Sequence, residues 1–343
     1  MSRLSVICGL FGLLALPTIT HGGLYYSGEP MAKLPSQWRG FLLDQRTLRM
    51  IGNPAKAGGV MNPIRKQYLL KAEELEKVRA KGKLTADQLA DLGAIYIRLR
   101  QPEKAVTLLR GANRQYPQHF KIAANLGTAW QQFGDLRQAA QALQQAVSLT
   151  PEKYRVVEEH HLKLITLRLR EPKTGTSLDN LFGVRYVGND GKFTPGKIAA
   201  GQKKKLPKHA VATIQQMSLW LPNDARLLWQ LAEIANAYGD VRVAANMMDG
   251  CITQFGLQSR ELRKRRLIIR TVVAKLKATS VAGKAEHKKN HAGGIVAQSR
   301  RPLLSRIDQS VLPKIVEDGV NRMPWGLLRE TEVGQRFDPS FPD

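Results

Sequence analysis

A 34-residue spacing of small and bulky residues constrains this chain more than any other feature of its sequence. In residues 86 to 119, eight positions of a 34-residue unit hold Leu89, Leu92, Gly93, Tyr96, Ala105, Leu109, Ala112 and Pro117. The same positions of residues 120 to 153 hold Ala123, Leu126, Gly127, Trp130, Ala139, Leu143, Ala146 and Pro151. Self-similarity at this period is typical of stacked helical repeats, so the sequence predicts an all-α solenoid.

The sizes of the repeated residues explain why the two helices of a unit would pack. Small residues at positions 8, 20 and 27 let the helices approach closely, and in the second unit these are Gly127, Ala139 and Ala146. Gly134 and Asp135 mark the turn between the helices. Because one helical pair cannot bury its own apolar face, three or more pairs are expected to stack.

A further unit begins near Ala225, in the string ARLLWQLAEIANAYGDVRVAANMMDGCITQFG. Gly239 and Asp240 stand at its turn, and Cys251 takes the position of a small packing residue. Cys251 is also the only cysteine after the apolar N-terminal stretch. No intramolecular disulfide is therefore expected.

An interrupted unit lies between the second and the last. Helical periodicity over residues 154 to 171 fits its first helix, and three small or apolar residues fit its second helix: Ala210, Ile214 and Met217. An insertion over residues 172 to 206 separates the two. Its alternating string GVRYVGNDGKFTPG contains Asn189-Asp190-Gly191, a turn signal that predicts a β-hairpin. The units together predict about four helical pairs over residues 63 to 256.

The repeated pattern of Leu-Gly, an aromatic residue, Ala, a bulky apolar residue, Ala and Pro resembles the tetratricopeptide repeat (TPR) family. The resemblance implies a concave surface, lined mainly by the first helix of each pair, that receives a peptide or a helix of another protein. On this chain the implied groove residues are Arg98, Lys121, Asn125, Thr128, Gln132, Arg226, Trp229 and Asn236. A chaperone-binding subclass holds a terminal carboxylate with a lysine and an asparagine of the first unit. Ala90 and Ala94 take those places here, so this form of peptide binding is not expected.

The ends of the chain lack the repeat pattern. Residues 1 to 22 have a basic start at Arg3 and a short apolar run, as a secretory signal does, and an uncleaved N-terminal anchor is the alternative. Residues 23 to 62 are expected to be irregular apart from a short helix in WRGFLLDQRTLRMIG, and a helix starting at Pro63 precedes the first repeat. Residues 257 to 343 are expected to form a basic capping helix, a flexible stretch after residue 277, and an irregular tail.

The charge balance points to a negatively charged binding partner. The 343 residues include 53 Lys and Arg against 28 Asp and Glu, a net charge of +25. Such a field attracts polyanions and anionic surfaces. The densest cluster after the repeats is Arg260, Arg263, Lys264, Arg265 and Arg266. Aromatic residues that could stack on bases are missing there, so contact with an anionic polymer or a membrane surface is favoured over nucleic acid.

The sequence offers no arrangement that indicates catalysis. PGKIAAG lacks the ending of a phosphate loop, and GGIVAQS is not a nucleophile elbow. The carboxylate pairs Glu73-Glu74 and Glu158-Glu159 are interpreted as solvated helix faces. His160 and His161, adjacent on a helix, would point about 100° apart and not to one metal.

We therefore expect a non-catalytic scaffold or adaptor of the bacterial cell envelope, located in the periplasm or secreted, that needs no cofactor or metal. After the N-terminal stretch no apolar run approaches the ~18 residues of a membrane span. An electrostatic anchor acting through the basic helix is the alternative function. An enzyme whose site lies in the insertion or the tail is a third.

Overall fold

The computed structural model describes residues 24–29, 38–53, 61–82, 84–171 and 175–287, except for the side chains of 38–40 and 277–287. The predicted signal and the tail after residue 287 lie outside these ranges. The regular structure of the described residues is entirely helical, which confirms the all-α prediction. The helices are α1 (Trp38–Gly52), α2 (Pro63–Ala80), α3 (Ala86–Arg98), α4 (Pro102–Gln115), α5 (Phe120–Phe133), α6 (Leu136–Leu149), α7 (Glu152–Leu169), α8 (Ala200–Lys203), α9 (Ala210–Trp220), α10 (Ala225–Ala237), α11 (Val241–Thr253) and α12 (Arg260–His287).

Local signals in the sequence start the first helices. Asn62 accepts hydrogen bonds from the backbone N–H groups of Ile64 and Arg65, and α2 begins at Pro63, whose missing N–H is not needed at that position. The Thr85 side chain and Gln88 form a reciprocal capping box at the start of α3. These caps satisfy backbone donors that have no partner within the helix.

The helices pack in sequence as pairs. α3 packs against α4, α5 against α6, and α10 against α11, while α7 and α9 form a pair interrupted by the insertion. α3 also packs against α5, the first helix of the following pair. At Gly127 a Cβ atom would lie 2.5 Å from Leu143 Cγ, so only glycine fits where α5 crosses α6. The small residue therefore does what its place in the repeat predicts.

The turns of the pairs use a left-handed residue at one equivalent position. Gly134 has φ 100° and Gly239 has φ 89°. The first pair has Arg100 there, with φ 59°. A side chain in this region is sterically disfavoured, so the backbone at Arg100 carries a cost that its glycine counterparts avoid.

Helix α1 brings the N-terminal region onto the last repeats. Phe41 and Ile51 are fully buried, and α1 packs against α2, α3 and α9. Arg49 donates hydrogen bonds to the Gln254 side chain (2.9 Å) and carbonyl (3.2 Å). Its guanidinium lies 3.8 Å from the ring centre of Phe255. The short helix expected in WRGFLLDQRTLRMIG is thus present over 15 residues, and it joins the two ends of the helical array.

The prediction of a β-hairpin in the insertion is wrong for its described part. A turn is present, with the Gly188 N–H donating to Lys192 O at 2.9 Å, but residues 175–199 contain an isolated bridge between Thr194 and Lys197 and no strand. The alternating apolar side chains pack onto the helices instead. Tyr186 is buried, and its hydroxyl accepts a hydrogen bond from Gln230 on α10.

Helix α12 is longer than the sequence indicated. Its backbone is helical through His287, so residues 278–287, expected to be flexible, continue the helix. Leu262 and Ile269 are buried, and α12 packs against α11. No helix within the described ranges combines the length and apolar character needed to cross a membrane.

Candidate functional site

Residues 24–29, which we call the N-terminal segment, lie against the first helices of the first two repeats. Asn125 on α5 accepts a hydrogen bond from the Tyr25 N–H (2.8 Å) and donates one to the Tyr25 carbonyl (3.1 Å). The same amide donates to the carbonyl of Ala90 on α3 at 3.0 Å. One fully buried side chain therefore holds both main-chain groups of a segment residue 100 positions away and ties them to the neighbouring repeat.

The Tyr25 side chain fills a closed aromatic subsite. Its ring meets Phe120 edge-on at 4.5 Å and Tyr154 at 5.6 Å, between ring centres. Its hydroxyl donates to Glu158 Oε1 at 2.8 Å. Glu158 is fully buried rather than solvated as expected, and its Oε2 has no hydrogen-bond partner in the described structure. Burial raises the pKa of Glu158 to about 7, and the hydrogen bond from Tyr25 opposes part of that rise.

Glu29 occupies a second, charged subsite. Arg98 on α3 donates to Glu29 Oε1 from Nε (2.8 Å) and to Oε2 from Nη2 (2.7 Å), a two-point pairing. The Tyr68 hydroxyl of α2 donates to the same carboxylate. Arg98 Nη1 also donates to the carbonyl of Leu219 at 2.7 Å, so the site includes the end of α9. Burial and Glu29 raise the pKa of Tyr68 well above its usual value.

A tight turn connects the two subsites. The Glu29 N–H donates to the Tyr26 carbonyl at 3.1 Å, which closes a β-turn over residues 26–29. The Ser27 N–H donates to Asp91 Oδ1 at 2.8 Å on the exposed side of the turn. A Cβ atom at Gly28 would lie 2.5 Å from Cζ of the Tyr26 ring, so any other residue there would have to displace that ring.

The groove residues of the last repeat are covered by other parts of the chain. Trp229 is fully buried and donates to Glu233 at 2.8 Å. Asn236 accepts from the Gly196 N–H (2.7 Å) and donates to the Thr194 carbonyl (3.3 Å), so the insertion lies over it. Arg226 is paired with Glu171 at 2.6 and 2.7 Å.

Three groove residues of the second repeat complete the set. Thr128 is buried and donates to the Ala124 carbonyl of its own helix at 3.2 Å. Lys121 remains partly exposed and lies 2.7 Å from Asp87. Gln132 is also partly exposed. Of the eight predicted groove residues, six are thus buried by the protein's own chain: Arg98, Asn125, Thr128, Arg226, Trp229 and Asn236.

An open cleft remains beside the covered face. It has a volume of about 650 Å³, and Gln132 and Arg226 are among its lining residues. Arg100, the left-handed residue, also lines it, as do Asn223 and Leu257. Two predicted groove residues therefore border an accessible space, whereas the N-terminal segment and the insertion cover most of the rest.

The basic cluster on α12 is smaller than its sequence suggested. Arg260, Arg263 and Lys264 are exposed. Arg265 is only 8 % exposed and lies 2.8 Å from Glu233, in an ion pair. Arg266 is paired with Asp249. The expectation that all five cations form a surface patch is thus wrong for these two, because buried carboxylates of α10 and α11 attract them inward.

The histidine pair and the cysteine are held by contacts within the protein and do not form a metal site with other described residues. His161 is fully buried, with Nε2 2.7 Å from Gln131 Oε1, and burial lowers its pKa to about 3. His160 Nδ1 lies instead 2.5 Å from the Val156 carbonyl. Burial raises the pKa of the Cys251 thiol well above its usual value. Across the described ranges, no three His, Cys, Asp or Glu side chains form a group that could hold a metal ion.

Sequence reasoning identified the receiving side of this site and missed the occupant. Asn125 and Arg98 were found because they fall at repeat positions, whereas Tyr25 and Glu29 belong to no period. The available signal was compositional: the string LYYSGE combines two tyrosines, a glycine and a carboxylate in a segment otherwise expected to be irregular. Comparison with protein-family models, curated proteins and solved structures finds no match for this chain.

Proposed function

We propose that this protein is a non-catalytic interaction scaffold of the bacterial cell envelope, with a TPR-type solenoid that holds a short peptide segment of a partner protein on its concave face. The contact of Asn125 with Tyr25 carries the proposal. A side chain that pairs with both the N–H and the carbonyl of one residue binds main chain, which any peptide offers. The site thus has the chemistry that peptide capture requires.

The neighbouring subsites add side-chain selectivity to this main-chain contact. An aromatic cavity ending at Glu158 and a guanidinium from Arg98 stand on either side of Asn125. These residues belong to α3, α5 and α7, the first helices of three successive units. The spread of these subsite residues over three units favours a binding surface built from several repeats, as the TPR resemblance implies.

The cleft offers an experiment that works with an unidentified partner. A photo-crosslinking amino acid at Gln132, which lines the cleft, is expected to capture one reproducible partner in intact cells. The matched control is the same amino acid at Gln138, which is exposed at the start of α6 and does not line the cleft. Identical captured proteins at both positions, or none at Gln132, would contradict the scaffold function.

A second candidate function is an electrostatic anchor. The observation that favours it is the row of exposed cations on α12, Arg260, Arg263 and Lys264, none of which is in an ion pair within the described structure. Leu267, the next turn along, is 70 % exposed. Basic side chains beside an exposed apolar residue suit the surface of an anionic membrane.

Sedimentation with vesicles tests the anchor. Replacing the three cations by alanine is expected to abolish binding to vesicles that contain anionic lipid, and raising the salt concentration is expected to weaken binding of the unchanged protein. The control removes three exposed cations of α4, Lys104, Arg110 and Arg114. Equal loss in both triple variants would show that net charge, and not α12, drives the binding.

A further inference from the structure

We propose that the site is selective for a tyrosine followed by a glycine-containing β-turn that ends in glutamate, the pattern Tyr-Tyr-x-Gly-Glu, and that residues 24–29 are a resident ligand which a partner segment of this pattern displaces. This inference rests on the proposed function and adds the chemistry of the partner. It follows from two subsites, from the turn between them and from the way the segment is attached.

The first subsite distinguishes tyrosine from phenylalanine. The ring contacts Phe120 and Tyr154, which any aromatic residue would satisfy. The hydroxyl, however, donates to Glu158, whose carboxyl group is buried and already has one oxygen without a hydrogen bond. A phenylalanine would leave Glu158 Oε1 without a hydrogen bond as well. A buried polar group that loses its hydrogen-bond partner opposes binding.

The second subsite distinguishes glutamate from its amide. Arg98 meets the carboxylate at two points, and Tyr68 adds a third donor. All of these contacts are made by donors, so a carboxylate satisfies them with acceptors alone. A glutamine would direct its NH₂ group toward one of those donors and remove the charge that pairs with Arg98.

The turn fixes the spacing between the two subsites. The Glu29 N–H to Tyr26 carbonyl bond brings the glutamate back toward the solenoid four residues after the tyrosine. Glycine one residue before the glutamate leaves room for the ring of Tyr26, which a Cβ atom at that position would displace. A partner segment therefore needs the turn as well as the two side chains.

The side chains that hold the segment are positioned by helices and not by the segment itself, although Leu24 of the segment is buried in the core. Tyr68, Arg98, Asn125 and Glu158 stand on helices that pack against their own neighbours, as α5 does against α3, α4 and α6. The segment itself contributes no helix to this packing. Its tether to α1 gives it a high effective concentration, so a free peptide competes at a disadvantage until the resident contacts are weakened.

Peptide binding to the full chain tests this proposal. The host is the variant Tyr25→Ala with Glu29→Ala, in which the resident segment has lost both side-chain contacts. A fluorescent peptide of residues 23–30, GLYYSGEP, is expected to bind this host saturably and to bind the unchanged protein at least about tenfold more weakly. Replacing the tyrosine at position 25 by phenylalanine, or the glutamate by glutamine, is expected to weaken peptide binding by about tenfold each.

A scrambled peptide of the same composition is the control for charge and hydrophobicity. If the scrambled and amide peptides bind the host as tightly as GLYYSGEP, the selectivity is wrong while peptide capture itself stands. If GLYYSGEP does not bind a host whose circular dichroism and unfolding match the unchanged protein, the proposal fails. Crosslinking at Gln132 does not use this peptide, so failure here is distinguishable from failure of the scaffold function.

A second measurement applies if the double variant does not fold. A protease site is placed within residues 31–36 of the otherwise unchanged protein and cut after folding. Exchange of the released fragment for labelled GLYYSGEP, with no exchange for the scrambled peptide, supports the proposal. A fragment that stays bound and never exchanges overturns it.

Discussion

At the scale of single residues, the most consequential side chain is Glu158, a buried carboxyl group facing a tyrosine. Its pKa is raised from the ordinary value of 4.5 to about 7 because burial disfavours the ionised form. The folded protein therefore binds a proton more tightly than the unfolded chain between these two values. The stability that follows is fully present below about pH 4.5 and is lost as the pH rises toward 7.

The substitution Glu158→Gln tests this linkage. In the unchanged protein, Glu158 is expected to lower the unfolding free energy by on the order of 3 kcal/mol as the pH rises from 5 to 8. The variant lacks this carboxyl group, so this decrease should be absent from its pH profile. Glu233, with a pKa raised to about 7 by burial, retains its own dependence of the same sign. Chemical denaturation across this pH range measures the difference.

The control for that substitution is Glu159→Gln, which changes the adjacent exposed carboxylate. It leaves the buried carboxyl group in place, so the pH dependence caused by Glu158 is expected to remain. His161 affects the pH profile in the opposite direction. Its pKa is lowered to about 3, so the stability that it contributes to the folded protein is lost as the pH falls below about 6.5. A profile of Glu158→Gln that parallels the unchanged protein would contradict the assignment.

Arg100 supplies a second prediction at this scale. It stands at the left-handed turn position that Gly134 and Gly239 occupy in other repeats. Arg100→Gly is expected to stabilise the protein by about 1 kcal/mol, because glycine adopts this conformation without a steric penalty. Arg110→Gly, within the exposed face of α4, should instead destabilise by a similar amount. Thermal unfolding distinguishes the two, and destabilisation by Arg100→Gly would show that its side chain contacts outweigh the backbone cost.

At the scale of helices, the crossing of α5 and α6 depends on the absence of a side chain at Gly127. Gly127→Ala is expected to cost 1 to 3 kcal/mol, roughly the range for overpacking, because the new Cβ would meet Leu143. Gly111→Ala, on α4 with open space around it, should stabilise by about 0.5 to 1 kcal/mol through helix propensity alone. Urea denaturation of both variants provides the measurement. Similar effects of the two alanines would mean that the crossing is looser than the contact implies.

How much of the structure the sequence predicted depends on whether a residue sits in the repeat. The helical pairs were predictable because packing forces small residues to recur, as at Gly127 and Ala139. The insertion was mispredicted because alternating apolar residues suit both a strand and a loop packed on helices. Tyr186 lies in such a loop and bonds to Gln230 on α10. Only the helical residues of the site could be predicted. Asn125 follows from its position in the 34-residue repeat, but Tyr25 and Glu29 lie outside the repeat and no periodic pattern marks them.

At the scale of the whole molecule, α1 makes the first and last repeats depend on each other. Arg49 bonds to Gln254 and packs over Phe255, 205 and 206 positions away. Repeat arrays otherwise tend to be stabilised by contacts between neighbours only. The bridge is therefore expected to couple local unfolding at the two ends of the array.

Hydrogen exchange measures this coupling. Arg49→Ala is expected to accelerate exchange in α1 and at the end of α11, and to leave α5 and α6 near their original protection. Lys66→Ala, an exposed position on α2, is the control and should change none of them. Unchanged exchange at the end of α11 in Arg49→Ala would show that α1 does not connect the ends energetically.

The burial of the N-terminal segment also affects when a protease can cut the chain next to it. Leu24 and Tyr25 are each 1 % exposed, and they follow Gly22, where the predicted signal ends, by two and three residues. Proteolysis requires an accessible chain, which a docked segment does not present. If the chain is cut after Gly22, as the sequence predicts, the cut is therefore expected while the N-terminal segment is undocked.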